Sequence, residues 1–149
     1  MPLRFAFRLE RLLELRKHQV EETQKLLARC IENVRAADAI LIRLHEEQKK
    51  LNQSWHLIAS RALNADCAMD YQLWMENLLK SVETEKIALE NVKKEEMACR
   101  SLLTKAMGRK KSLEKLRERA LGRFVQESNR RSQAELDDFT GMRQKQGEA

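Results

Sequence analysis

The chain has 149 residues, with 29 Lys plus Arg against 23 Asp plus Glu, a net charge of +6, four Gly and one Pro. That length allows one domain, and so little turn punctuation argues against a many-stranded sheet. Hydrophobic content of 42% excludes a low-hydrophobicity disordered chain, while aromatics at 5% point to a thin core. No apolar run approaches the roughly 18–20 residues that span a bilayer. Arg4, Arg8 and Arg11 interrupt the apolar N-terminus where a signal peptide needs a continuous core, so a cytosolic protein is expected. Cys30, Cys67 and Cys99 are widely spaced and odd in number, which indicates neither a disulfide framework nor a metal site.

Stepping from Leu9 by alternating four and three residues visits Leu13, Arg16, Val20, Thr23, Leu27, Cys30, Val34, Ala37, Leu41, Leu44, Gln48, Leu51, Trp55, Ile58 and Ala62. Nearly all are apolar. A 3.5-residue repeat held that long predicts a helix over about 4–62 with a coiled-coil seam. Asn64-Ala65-Asp66-Cys67 breaks the seam and predicts a turn at about 63–68. Asn64 can adopt a left-handed backbone there, and Asp66 or Asp70 can cap the next helix.

The second helix is expected over about 69–138. Its seam runs Tyr71, Met75, Leu78, Val82, Glu85, Leu89, Val92, Glu96, Cys99, Leu103 and Ala106. The phase then slips around Gly108 and resumes through Leu113, Leu116, Ala120 and Phe124. Residues 139–149 read as a frayed tail. A lone helix of such length would leave its apolar stripe wet. Folding the chain back makes opposing residue numbers sum to about 129. That sets Ile58 against Tyr71, Trp55 against Trp74, Leu51 against Leu78, Cys30 against Cys99 and Leu13 against Leu116. The expected fold is all-α: a single domain formed by a long antiparallel two-helix coiled-coil hairpin, its first arm about 85–90 Å long at 1.5 Å per residue.

Charge is unevenly spread. Residues 1–62 carry 12 basic and 8 acidic side chains, residues 63–104 carry 5 and 8, and residues 105–149 carry 12 and 7. The densest cluster is Lys105, Arg109, Lys110, Lys111, Lys115, Arg117, Arg119 and Arg123. Such a face is either solvated or an electrostatic dock for an acidic surface. Without interleaved aromatics or a recognised module, it offers nucleic acid only non-specific phosphate affinity.

No catalytic constellation is found. His18, His45 and His56 share no ligand spacing, and there is no Gly-rich phosphate loop, GxSxG, HExxH or CxxC. Acidic pairs such as Glu46-Glu47 and Glu95-Glu96 read as solvated helix faces. A non-enzyme without cofactor or small-molecule substrate is expected. Cys30 and Cys99 fall on opposing seam positions and read as small core fillers. Trp55, Tyr71 and Trp74 cluster near the turn, as seam residues or as an aromatic interface anchor.

Three segments carry a family resemblance. Phe5-Ala6-Phe7-Arg8-Leu9-Glu10-Arg11-Leu12-Leu13-Glu14-Leu15-Arg16 resembles the F-x-F-x-L-E-x-L-L-x-L-R start of the FliJ family. Lys110-Lys111-Ser112-Leu113-Glu114-Lys115-Leu116-Arg117-Glu118-Arg119 resembles its R-K-x-L-E-K-L-x-E-R segment, and Gln133-Ala134-Glu135-Leu136-Asp137-Asp138-Phe139 its acidic C-terminal run. The resemblance implies a hairpin similar to the central stalk of rotary ATPases, serving flagellar type III protein export. Its partners would be the hexameric export ATPase, the cytosolic domain of the export gate and export chaperones, at the inner face of the membrane at the flagellar base.

On that resemblance the terminal helices enter the ATPase ring, with Arg8, Arg11, Arg109, Lys110, Lys111, Arg117, Arg119 and Arg123 as contacts. Tyr71-Gln72-Leu73-Trp74 resembles a Tyr-Gln-x-aromatic element of the gate-binding surface. Tyr71, Trp74 and Leu78, with Leu41 and Leu44, would carry it. Leu41, Leu44 and Leu78 are also seam positions, which sets Trp74 apart. An injectisome stalk, a structural coiled-coil spacer and a basic nucleic-acid-binding rod are the alternatives.

Overall fold

A computed structural model describes residues 4–61 and 65–147. Two helices, α1 (Glu10–Arg61) and α2 (Ala65–Gly147), pack against each other as a hairpin. No strand occurs among the described residues. The contacts divide the chain into two compact units, Met1–Glu21 with Thr104–Ala149, and Glu22–Leu103.

The seam of α1 emerges as read, from Leu9 to Trp55, with Leu13, Val20, Cys30, Ala37, Leu41 and Leu44 buried. Beyond Trp55 it passes to Ala59; Ile58 is exposed, and Ala62 lies outside the described residues. In α2 every seam position from Tyr71 to Ala106 is buried or half-buried. No phase slip follows at Gly108. The four-three stepping continues through Lys110, Leu113, Arg117, Ala120 and Phe124. Two basic residues occupy seam positions, so an apolar count misses the continuity. Leu113 is buried, while Leu116, expected to oppose Leu13, is 44% exposed.

The helix ends differ from expectation for identifiable reasons. Helix α1 begins at Glu10 and not near residue 4. Phe5 instead packs on Phe124 with ring centroids 5.6 Å apart, and the Arg117 guanidinium lies 5.4 Å from the Phe5 ring. This cross-helix packing draws residues 4–9 off the helical path; the Glu10 N–H donates to the Phe7 carbonyl at 3.1 Å. Helix α2 begins at Ala65, so Ala65–Ala68 are helix and not turn, and Asp66 sits in the first turn, where its charge favours the helix dipole. Asn64 lies outside the described residues.

The tail is helical to Gly147 and not frayed from residue 139. Within it the Arg143 guanidinium lies 5.8 Å from the Phe139 ring one turn away, and in the turns before it Glu127 accepts from Arg130 at 2.9 Å. The hydrogen bond and charge of Arg130 hold the Glu127 carboxyl below its usual range.

In the unit 22–103, Leu41, Leu44 and Val82 form the core cluster, with Ile40, Leu78 and Leu89 against it. In the other unit Leu13 is the most deeply buried side chain, at 1% exposure. Leu13→Ala is expected to cost about 2–5 kcal/mol, because a thin seam has few neighbours that can refill the space. Urea denaturation followed by circular dichroism checks this; a midpoint unchanged from the parent contradicts it.

Candidate interaction surfaces

Sorted by unit, charge separates. The unit Met1–Glu21 with Thr104–Ala149 holds 17 basic and 10 acidic side chains, net +7; the unit Glu22–Leu103 holds 12 and 13, net −1. Essentially the whole positive charge of the protein belongs to the unit containing both termini.

Within it the eight candidate cations divide by helix geometry. Arg8, Arg11, Arg109, Lys111, Arg119 and Arg123 are exposed. Lys110 and Arg117 are half-buried at the seam and already engaged. Arg117 Nε donates to Glu10 Oε2 at 3.0 Å, and Lys110 Nζ lies 3.7 Å from Glu114 Oε1. Arg117 thus links α2 to the start of α1, whereas the Lys110–Glu114 pair lies within α2.

Lys111, Lys115, Arg119 and Arg123 follow one another at four-residue spacing, so they form three like-charge pairs one turn apart. Every such pair costs the helix a few tenths of a kcal/mol, about 0.2–0.5.

The second surface lies in the unit 22–103. Trp55 stacks on Tyr71 with centroids 4.4 Å apart and planes 17° from parallel, and the Tyr71 hydroxyl donates to Asn52 Oδ1 at 2.6 Å. The expected pairings were Trp55 with Trp74 and Ile58 with Tyr71. The Trp55–Tyr71 stack, one turn short of that register, displaces both, because two large rings share one layer. Trp74 is thereby left 68% exposed.

Two shallow grooves, about 570 and 420 Å³, flank Trp74 and share Leu51 and Ser54 with it as lining. The exposed Leu73 lines the second. Leu41 and Leu44 are buried in the core cluster with Leu78 packed on it, and Leu44 and Leu78 also line the first groove beside Trp74. Leu57, Met69 and Leu73 are further exposed apolar side chains here that seam reading passes over, since none falls on the repeat. Their adjacency to the turn in sequence was the available signal.

The grooves are open, and no group of three or more metal-binding side chains is found among the described residues. No described helix is long and apolar enough to cross a membrane. What the two surfaces define is an all-α helical hairpin with one basic and one exposed aromatic region.

The chain belongs to the flagellar FliJ protein family, whose model matches residues 5–148. It is thus a component of flagellar type III protein export, a family role that is non-catalytic. Nothing among the curated proteins or the solved structures matches it.

Proposed function

We propose that this protein is a stalk-like coupling component between the export ATPase and the export gate. The unit containing both termini enters the hexameric ATPase ring and promotes its assembly and activity. The unit 22–103 presents the Trp74 grooves to the cytosolic domain of the gate. The protein works at the cytoplasmic side of the flagellar base, and an export-chaperone role fits the same exposed apolar surface.

The observation that carries this reading is the charge division, +7 against −1, with four basic residues stacked against their own repulsion. A helix that only needed solvation would alternate its charges, and repeated like-charge spacing is relieved when an acidic partner covers it. The coupling itself is differential contact. A stalk that binds one ring conformation better than the others shifts the population toward it.

The test is reconstitution. The purified protein is added to the export ATPase, with hydrolysis rate and hexamer fraction as readouts, and separately to the gate domain in a binding titration. Stimulation of hydrolysis together with saturable gate binding is expected. Absence of stimulation at saturating protein sinks the coupling role.

A further inference from the structure

Cys30 and Cys99 both carry free thiols, and their sulfurs lie 3.0 Å apart across the seam of the unit 22–103, although 69 residues separate them in sequence. Each is 7% exposed. Opposed seam positions bring two helix backbones as close as they come. A disulfide needs its sulfurs about 2.05 Å apart, so the two sulfurs have roughly 1 Å left to close. We propose that Cys30 and Cys99 are a latent interhelical disulfide site, which a disulfide-class oxidant converts into a covalent staple across the seam.

The site is latent for two reasons. The seam admits no oxidant while closed. The hydrogen bond to Cys99, with burial and the nearby Glu95 and Glu96 carboxylates, pushes the Cys30 thiol up to about 11, so Cys30 stays protonated at neutral pH while the seam is closed. Reaction therefore starts when the seam opens locally.

One cysteine gives its proton to solvent and attacks the S–S bond of oxidised glutathione. A mixed disulfide forms and one glutathione thiolate leaves. On reclosure the second cysteine loses its proton, attacks the protein-side sulfur and expels the second glutathione. Two protein thiols are oxidised and one small-molecule disulfide is reduced. The product locks the two helices together, so any partner that must part them is refused. One that docks on the closed hairpin is not.

The test uses the full chain carrying Cys67→Ser, which removes the exposed third thiol. It is incubated with oxidised glutathione, with and without urea just below the unfolding transition, then digested without reductant and mapped by mass. The expected result is a monomer with a Cys30–Cys99 linked peptide, two hydrogens lighter. Its helical circular dichroism is unchanged, and its urea midpoint is raised and returns on reduction. Adding Cys99→Ser removes both the link and the shift. The proposal is overturned if both thiols survive the urea arm, if glutathione adducts or intermolecular dimers accumulate instead, or if linkage comes with loss of helicity.

Discussion

A Lys111→Glu, Arg119→Glu variant of this protein is expected to lose ATPase stimulation while its hairpin becomes slightly more stable. The two directions follow from the same spacing. Lys111, Lys115, Arg119 and Arg123 stand one helical turn apart, so the two reversals turn three like-charge neighbours into three opposite-charge ones. Each conversion gains a few tenths of a kcal/mol, about 0.2–0.5 for the attraction and a similar amount for the repulsion removed. A new like-charge spacing between position 111 and Glu114 offsets part of it.

The unit's net charge falls from +7 to +3. Apparent affinity for the ATPase is expected to drop about tenfold or more at low salt. The gap should narrow toward 1 M salt, where the Debye length is about 3 Å. Lys110 and Arg117 are left untouched because both sit at the seam and are already paired, Lys110 with Glu114 within α2 and Arg117 with Glu10 across the hairpin. Melting curves and hydrolysis rates on the same preparation separate the outcomes. Full stimulation by a folded variant would remove the basic face from the mechanism.

Trp74→Ala carries the second large effect. An exposed Trp between two grooves is the side-chain type that dominates alanine scans, and its loss typically costs about 2 kcal/mol or more. That corresponds to roughly a 30-fold weaker complex with the gate domain. Folding should be nearly untouched, since Trp74 is 68% exposed and the seam layer beside it is filled by Trp55 and Tyr71. ATPase stimulation should be unchanged, because the substitution lies in the other unit. If gate affinity and ATPase stimulation fall together, the division of labour between the units is wrong. If neither moves, the grooves are not the gate contact. Tyr71→Ala is the contrasting change. It removes the stack and the hydrogen bond to Asn52, so it should lower stability as well as binding.

The two contact regions were unequally legible. The basic stretch is a property of composition along the chain, and it is visible before any fold is known. Which of its members are free is not: Lys110 and Arg117 look like their neighbours in sequence, yet the seam claims both. Trp74 was singled out by its place in the Tyr71–Trp74 element. Its exposure rests on which side chains meet across the hairpin, whereas the burial of Leu41 and Leu44 follows from their seam positions.

Two long helices and the seam from Leu9 to Trp55 and from Tyr71 to Ala106 follow from sequence alone. Periodicity is local, each residue turning about 100° from the last, so the buried stripe is written in the spacing of apolar residues. The opposition of Cys30 and Cys99 was also readable, because equal rise on two antiparallel helices makes residue numbers sum to a constant. Tertiary packing decided the rest. Near the turn, ring volumes shift the partners so that Trp55 takes Tyr71 and releases Trp74. At the termini, Phe5 trades a helical turn for Phe124 and Arg117. Spacing along one helix specifies which face is buried, but which opposing side chain fills each layer depends on volumes contributed by both.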